Sequence, residues 1–123
     1  MDEKDVERWV EGYVRAWGTN APEDIRALFT EDAHYFTAPY RRPWTGHDAI
    51  VKGWVGRKDE QGTWSFRTED TVICNDMAYV RGVTTYEDDD DFANLWVITL
   101  APDGRASEFV EWWMAVTDPD RMD

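Results

Sequence analysis

The sequence predicts an α+β domain: three N-terminal helices packed on the concave face of a strongly curved, mainly antiparallel sheet. Two observations carry this. Up to Gly62 the apolar residues recur at a period near 3.6, and beyond it at a period of two. The second half holds four long strand-like runs, each parted from the next by turn-forming residues. Helices first and a meander second is the order of one sheet wrapped around its helices. No repeat, low-complexity linker or break in composition divides the chain, so residues 1–123 read as a single domain.

Residues 5–18 carry Val6, Trp9, Val10, Tyr13, Val14 and Trp17 three and four apart, one apolar stripe on an amphipathic helix. Gly18 and the following Thr-Asn-Ala-Pro end it. Pro22 opens a short second helix, with Ile25, Leu28 and Phe29 expected inward. A short strand, "AHYFTA", and a Pro-bounded loop, "PYRRPW", come next. Thr45 then has the chemistry of a cap for a third helix, "GHDAIVKGWVGRKD". The four runs are "TWSFRTEDTVIC", "MAYVRGVTTYE", "FANLWVITLA" and "ASEFVEWWMAV", and "ND", "DDDD" and "PDGR" between them have hairpin chemistry. The Asp run 88–91 reads as a solvated hairpin tip, because the central Gly and distal bidentate acid of a calcium loop are missing.

Composition narrows the function. With 26 acidic and 13 basic residues, the net charge of −13 repels phosphate backbones and anionic lipid, so neither a nucleic acid nor a membrane is an expected partner. No apolar run approaches the roughly eighteen residues of a membrane span. The charged start, "MDEKDVERW", lacks the order of a secretory signal, and a cytoplasmic protein is expected. The single cysteine, Cys74, allows no internal disulfide and reads as a small buried apolar residue. His34 and His47 stand without a spaced carboxylate or a Cys cluster, so no metal site is expected. Neither a Gly-rich phosphate loop nor a Gly-x-Ser-x-Gly elbow occurs, and no cofactor is expected. Eight tryptophans are the informative excess, a composition suited to a pocket or an interface.

The stretch "YVRAWGTNAPEDIRALFTEDAHY", followed by "GHDAI" and four strands, resembles the nuclear transport factor 2-like superfamily, and within it the SnoaL-like branch. The resemblance covers nearly the whole chain and is most specific from Asp24 to Ile50. It implies a cone whose open end holds a small hydrophobic molecule. The superfamily includes ketosteroid isomerase, scytalone dehydratase, limonene epoxide hydrolase and non-catalytic dimeric binders. The resemblance therefore implies one of two functions. One is a cofactor-independent isomerase, cyclase, dehydratase or hydrolase working by general acid/base catalysis; the other is a ligand-binding or dimerisation module without chemistry. Ketosteroid isomerase itself needs a Tyr, a protonated Asp and an Asp base. Tyr13 matches the first, but Thr37 falls at the base and Trp96 near the protonated acid, so that activity is not expected.

Strand parity selects the inward side chains. Asn94, Trp96, Ile98 and Leu100 share one face against Leu95, Val97 and Thr99; Phe109, Glu111, Trp113 and Ala115 share one face against Val110, Trp112, Met114 and Val116. Both faces are apolar, so both are expected to be covered. The resemblance implies that the concave face meets helices and ligand and the convex face a second copy. A homodimer through Val110, Trp112, Met114 and Val116 is the expectation. Ungapped comparison with the same hairpin of ketosteroid isomerase turns Phe109, Glu111 and Trp113 toward the cavity. Glu111 is then the candidate acid/base, its pKa raised by lost hydration, with Tyr13 and Tyr35 as hydrogen-bond donors. Trp17, Thr37, Trp54, Trp96, Phe109 and Trp113 are the expected ligand walls. The competing reading pairs Glu111 with Arg81 or Arg67, and a register slip of one residue would expose it. His47 is expected near solvent, and His34 is opposite in parity to Tyr35. Arg41 and Arg42, in the Pro-flanked loop, would stand near the mouth, where an anionic ligand group would meet them.

Overall fold

Asp2 starts the first helix, α1 (Glu3–Thr19), with a reciprocal cap: its carboxylate accepts from the Asp5 amide at 3.0 Å and Asp5 accepts from the Asp2 amide at 3.0 Å. In this computed structural model, which describes residues 2–59, 62–87 and 91–116, Val6, Trp9 and Tyr13 of the predicted stripe are buried and Val10, Val14 and Trp17 half-buried, while Ala16 is buried beside them. Asn20, in the left-handed region at φ 53°, ends the helix, its N–H bonded to Ala16 O at 2.7 Å. Pro22 is the first residue of α2 (Pro22–Arg26). Ile25, Leu28 and Phe29 are all buried, but only Ile25 is helical: Leu28 falls in the turn after α2, and Phe29 opens β1 (Phe29–Phe36), which starts earlier than "AHYFTA". The reason is non-local: Phe29 pairs with Ala106, near the other end of the chain.

After β2 (Trp44–Thr45), α3 runs from His47 to Gly56. Its N-cap is Gly46 and no side chain caps it, which corrects the expectation for Thr45. Thr45 lies in β2, antiparallel to β1, and its hydroxyl is 3.0 Å from His34 Nδ1. The four runs form β3 (Trp64–Cys74), β4 (Met77–Tyr86), β5 (Phe92–Leu100) and β6 (Ala106–Ala115). Asn75, at φ 57°, and the Pro102–Arg105 segment make two of the connections; residues 88–90 of the Asp run lie outside the described residues. Cys74 is exposed, contrary to expectation, because it ends the edge strand β3.

The six strands form one curved sheet in the order β2-β1-β6-β5-β4-β3, antiparallel throughout except for β1 on β6. The fold is thus the expected α+β arrangement, with helices on the concave face. Trp9 of α1 stacks on Phe109 of β6 at 5.6 Å between centroids, and Tyr13 meets Trp96 of β5 at 4.5 Å. Among the described residues no helix is long and apolar enough to cross a membrane.

Cross-strand pairing sorts the concave face into rows. Tyr35, Phe109, Ile98 and Ala78 lie side by side across β1, β6, β5 and β4, and all are buried. The next row is Glu111, Trp96 and Val80; the next is Trp113, Asn94 and Gly82; the last is Ala115, Phe92 and Thr84. From the closed end to the open end, the inward face changes from wholly apolar to mixed. Glu111 is the first charge met along it. Gly82 permits this packing: a Cβ there would sit 2.5 Å from the ring of Phe66, which stacks on Trp96 at 4.5 Å and 6°. Gly53 of α3 does the same for Trp44, whose ring fills the space a Cβ would need.

Candidate functional site

The open end of the sheet, closed on one side by α1 and α3, encloses a cavity of about 300 Å³. Seven of the nine predicted site residues line it: Tyr13, Trp17, Tyr35, Thr37, Trp54, Glu111 and Trp113. Trp96 and Phe109 stand one layer behind, fully buried, and reach the cavity only through the groups they support. Three of the four lining tryptophans are held by their indole N–H groups, and the fourth, Trp44, by stacking on Tyr35 at 4.9 Å. Trp54 donates to Asn20 Oδ1 at 3.0 Å, Trp113 to the Thr37 carbonyl at 3.1 Å, and Trp17 to Asp59 Oδ2 at 2.9 Å. The walls are therefore fixed by polar bonds at their rims as well as by ring packing.

Glu111 projects from the middle of β6 into this space, half-buried. Its Oε2 accepts from Trp96 Nε1 at 2.5 Å and from Asn94 Nδ2 at 3.0 Å. Asn94 is oriented in turn by Thr84, whose hydroxyl donates to Asn94 Oδ1 at 2.7 Å and so leaves the amide hydrogens for the carboxylate. Both bonds end on Oε2; among the described residues none reaches Oε1. Burial raises the Glu111 pKa from 4.5 to about 7, against the lowering effect of the Asn94 and Trp96 hydrogen bonds and of the Arg57 charge. A proton on this carboxyl belongs on Oε1, because Oε2 already accepts twice. The alternative ion pair is not formed: Arg81 pairs with Asp70 and Glu69, and Arg67 with Glu69.

Tyr13 of α1 and Tyr35 of β1 meet hydroxyl to hydroxyl at 2.7 Å. Burial lifts both hydroxyls far above the ordinary tyrosine range; their mutual influence and the Glu111 charge raise Tyr13 further, and the Glu111 charge also raises Tyr35. Both therefore stay protonated at neutral pH. One donates to the other, and the acceptor keeps a hydrogen for a third group. The site thus combines a carboxyl that exchanges its proton near neutrality with a neutral hydroxyl pair, inside aromatic walls.

The other side chains singled out in the sequence lie elsewhere. His34 is exposed on the outer face of β1; His47 is half-buried rather than solvated, its Nε2 2.7 Å from the Phe29 carbonyl oxygen. Arg41 and Arg42 are exposed and outside the cavity lining. Cations do line it, but they are Arg57 and Lys58, directly after α3, with Asp59 beside them. Sequence reasoning did not single these out, nor Thr84 and Asn94. Parity placed Asn94 beside Trp96, and a lone amide on an otherwise apolar face was the available signal. Among the described residues no three His, Cys, Asp or Glu side chains gather as a metal would require.

A family model described as a SnoaL-like domain matches residues 10–118. No curated protein matches the chain. Among solved structures, an NTF-2 like protein of unknown function from Burkholderia xenovorans LB400 has a TM-score of 0.74 at 7% identity, over 94% of this chain and 88% of that one. An LEH-like epoxide hydrolase of M. tuberculosis scores 0.69 at 13% identity, over 90% and 84%. A steroid delta-isomerase from Pseudomonas aeruginosa scores 0.65 at 10% identity, over 93% and 82%. At such identities the likeness is one of fold, while the family match rests on the sequence itself. That match, spanning all but the ends of the chain, makes this protein a member of the SnoaL-like domain family, on the nuclear transport factor 2-like fold.

Proposed function

We propose that the protein is a cofactor-independent enzyme that moves a proton on a small, largely apolar molecule held in the cone. The observation that carries this is the Glu111 carboxyl, bonded by two N–H groups through Oε2 with Oε1 unclaimed, and exchanging its proton at about pH 7. In this reading Glu111 is the acid/base, and the Tyr13–Tyr35 pair donates a hydrogen bond to an oxygen on which charge develops. Trp17, Thr37, Trp54 and Trp113 bound the substrate, while Trp96 and Phe109 back the site from below. The reaction class is isomerisation, cyclisation, dehydration or hydrolysis. Glu111→Gln keeps the shape and removes the exchangeable proton; on a turned-over substrate it lowers kcat by about 10²- to 10⁴-fold. Full turnover by the variant would assign the chemistry elsewhere. A second reading, a binder without chemistry, draws on the aromatic packing that leaves only about 300 Å³ open. Ligand bound tightly and recovered unchanged by both forms would favour it.

The convex face supports a homodimer through Val110, Trp112, Met114 and Val116. Trp112, Met114 and Val116 are 45%, 67% and 48% exposed, and Leu95, directly opposite Trp112, extends the apolar patch. Light scattering at micromolar concentration tests this: twice the monomer mass is expected, falling to the monomer in Met114→Glu, and a monomeric parent refutes it. The exposed free thiol of Cys74 suits a reducing compartment such as the cytoplasm.

A further inference from the structure

We infer that the ligand of this cavity is a flat, apolar carboxylate, whose charged end Arg57 and Lys58 receive at the mouth while its uncharged end reaches Glu111. This rests on the ligand-binding reading above and names the class of molecule that site takes. Three observations lead to it. First, Arg8, Arg26, Arg67, Arg81 and Arg105 each stand within 4 Å of a carboxylate, whereas among the described residues Arg57 and Lys58 make no ion pair and no side-chain hydrogen bond. Other cations are unpaired too, but only these two line the cavity.

Second, the carboxyls in the lining accept through one oxygen each from neutral N–H and O–H donors, and among the described residues neither pairs with Arg57 or Lys58. Asp59 Oδ2 accepts from Trp17 Nε1 at 2.9 Å and from Tyr86 at 3.1 Å, and Glu111 Oε2 accepts from Trp96 and Asn94. The cations are thus left to an outside partner. Third, a chain of net charge −13 repels anions at long range, so admitting one requires local positive charge where it enters. The Arg57 charge does act inside the cavity, since it lowers the pKa of both Glu111 and Tyr35. The volume, about 300 Å³, is at the small end for ligand sites and suits one or two fused rings.

A cation at the end of α3 also complements the helix dipole. That role would show in thermal stability and not in ligand choice. The test is calorimetric titration of the full chain with naphthoate and with its neutral isostere naphthamide. Naphthoate should bind about fivefold more tightly, as expected for one partly solvated charge-assisted contact. The preference should shrink in high salt. It should vanish in Arg57→Ala/Lys58→Ala, where naphthoate loses more affinity than naphthamide, and survive in part in Arg57→Lys. Equal binding of both probes by the parent, or a preference that outlasts the double substitution, overturns the inference and leaves the cavity reading standing. Binding of neither probe overturns both.

Discussion

Replacing Glu111 by glutamine should stabilise the protein at alkaline pH, by an amount the structure sets. In the folded chain this carboxyl holds its proton to about pH 7; unfolded, it releases it near 4.5. Between those values the folded state binds more protons than the unfolded one, so stability falls as pH rises. Below pH 4.5 the two states are alike and the term is absent; above pH 7 it is complete. At about 1.4 kcal/mol per pH unit, the full cost of ionising Glu111 in place is about 3 kcal/mol, a ceiling because the side chain still meets some solvent. Glutamine keeps the carbonyl oxygen that accepts from Asn94 and Trp96 and puts an amide where Oε1 stood. It therefore resembles the protonated acid and carries no such term. Urea denaturation of both forms at about pH 4.5 and about pH 8 isolates it, since every other titrating group cancels in the difference. The stability of Glu111→Gln relative to the parent should rise by about 2–3 kcal/mol between the two conditions. A difference that stays flat would mean that Glu111 ionises as freely as a surface carboxylate, and the acid/base reading would lose its foundation.

Three further outcomes follow from the same geometry. Tyr35→Phe strips the buried Tyr13 hydroxyl of its partner and should cost about 1–3 kcal/mol in urea denaturation, whereas Tyr13→Phe/Tyr35→Phe should cost less than the two single changes together. If the costs simply add, the 2.7 Å contact contributes nothing. Gly82→Ala drives a methyl into Phe66 and the Arg67 carbonyl, 2.5 and 2.8 Å away, and should destabilise by about 1–3 kcal/mol by disturbing the Phe66–Trp96 stack; a neutral result would refute the close packing. Trp96→Phe removes an N–H that favours the Glu111 carboxylate, so the carboxyl should titrate further above pH 7 by side-chain NMR; a downward move would mean that water filling the space outweighs the lost bond.

How much of this was legible in the sequence depends on how local the deciding interaction is. The α1 stripe and the three hairpin-linked pairs β3–β4, β4–β5 and β5–β6 answer to neighbours in the chain, and their alternation reads directly. Local sequence makes Phe29 look helical, because the partner that makes it a strand, Ala106, lies 77 positions away in the numbering and pairs in parallel. Thr45 looks like a cap for a like reason, since β2 exists only by pairing with β1. Within the site, parity carried Glu111 and Trp113 together with Asn94, because a register is common to a whole strand. Arg57, Lys58 and Asp59 obey no period: they follow a helix end, and only the closure of α3 against the sheet puts them at the mouth.

The proposed acid/base role of Glu111 rests on a balance of forces. Two donors on one oxygen favour the charged form and desolvation opposes it; the second wins, leaving the carboxyl half-ionised near pH 7. A carboxylate kept for stability would have a cation against it, and Arg57, the one whose field reaches it, makes no ion pair with it. Nor do the hydrogen bonds require an acid, since a glutamine would accept both. At physiological pH the acid costs the fold stability that the amide would not. What it adds over the amide is one exchangeable proton, on the oxygen no described residue occupies, at the floor of the cavity. Local rules are broken in this way where a fold gives up stability for chemistry. Trp112 and Met114, two strand positions of opposite parity around Trp113, break no such rule on the outer face, where they need only be covered. On the proposed readings, the alternation of β6 sets an acid/base on its inner face and a dimer contact on its outer one. Glu111→Gln should then lower turnover and leave the mass in light scattering unchanged, and Met114→Glu should do the reverse.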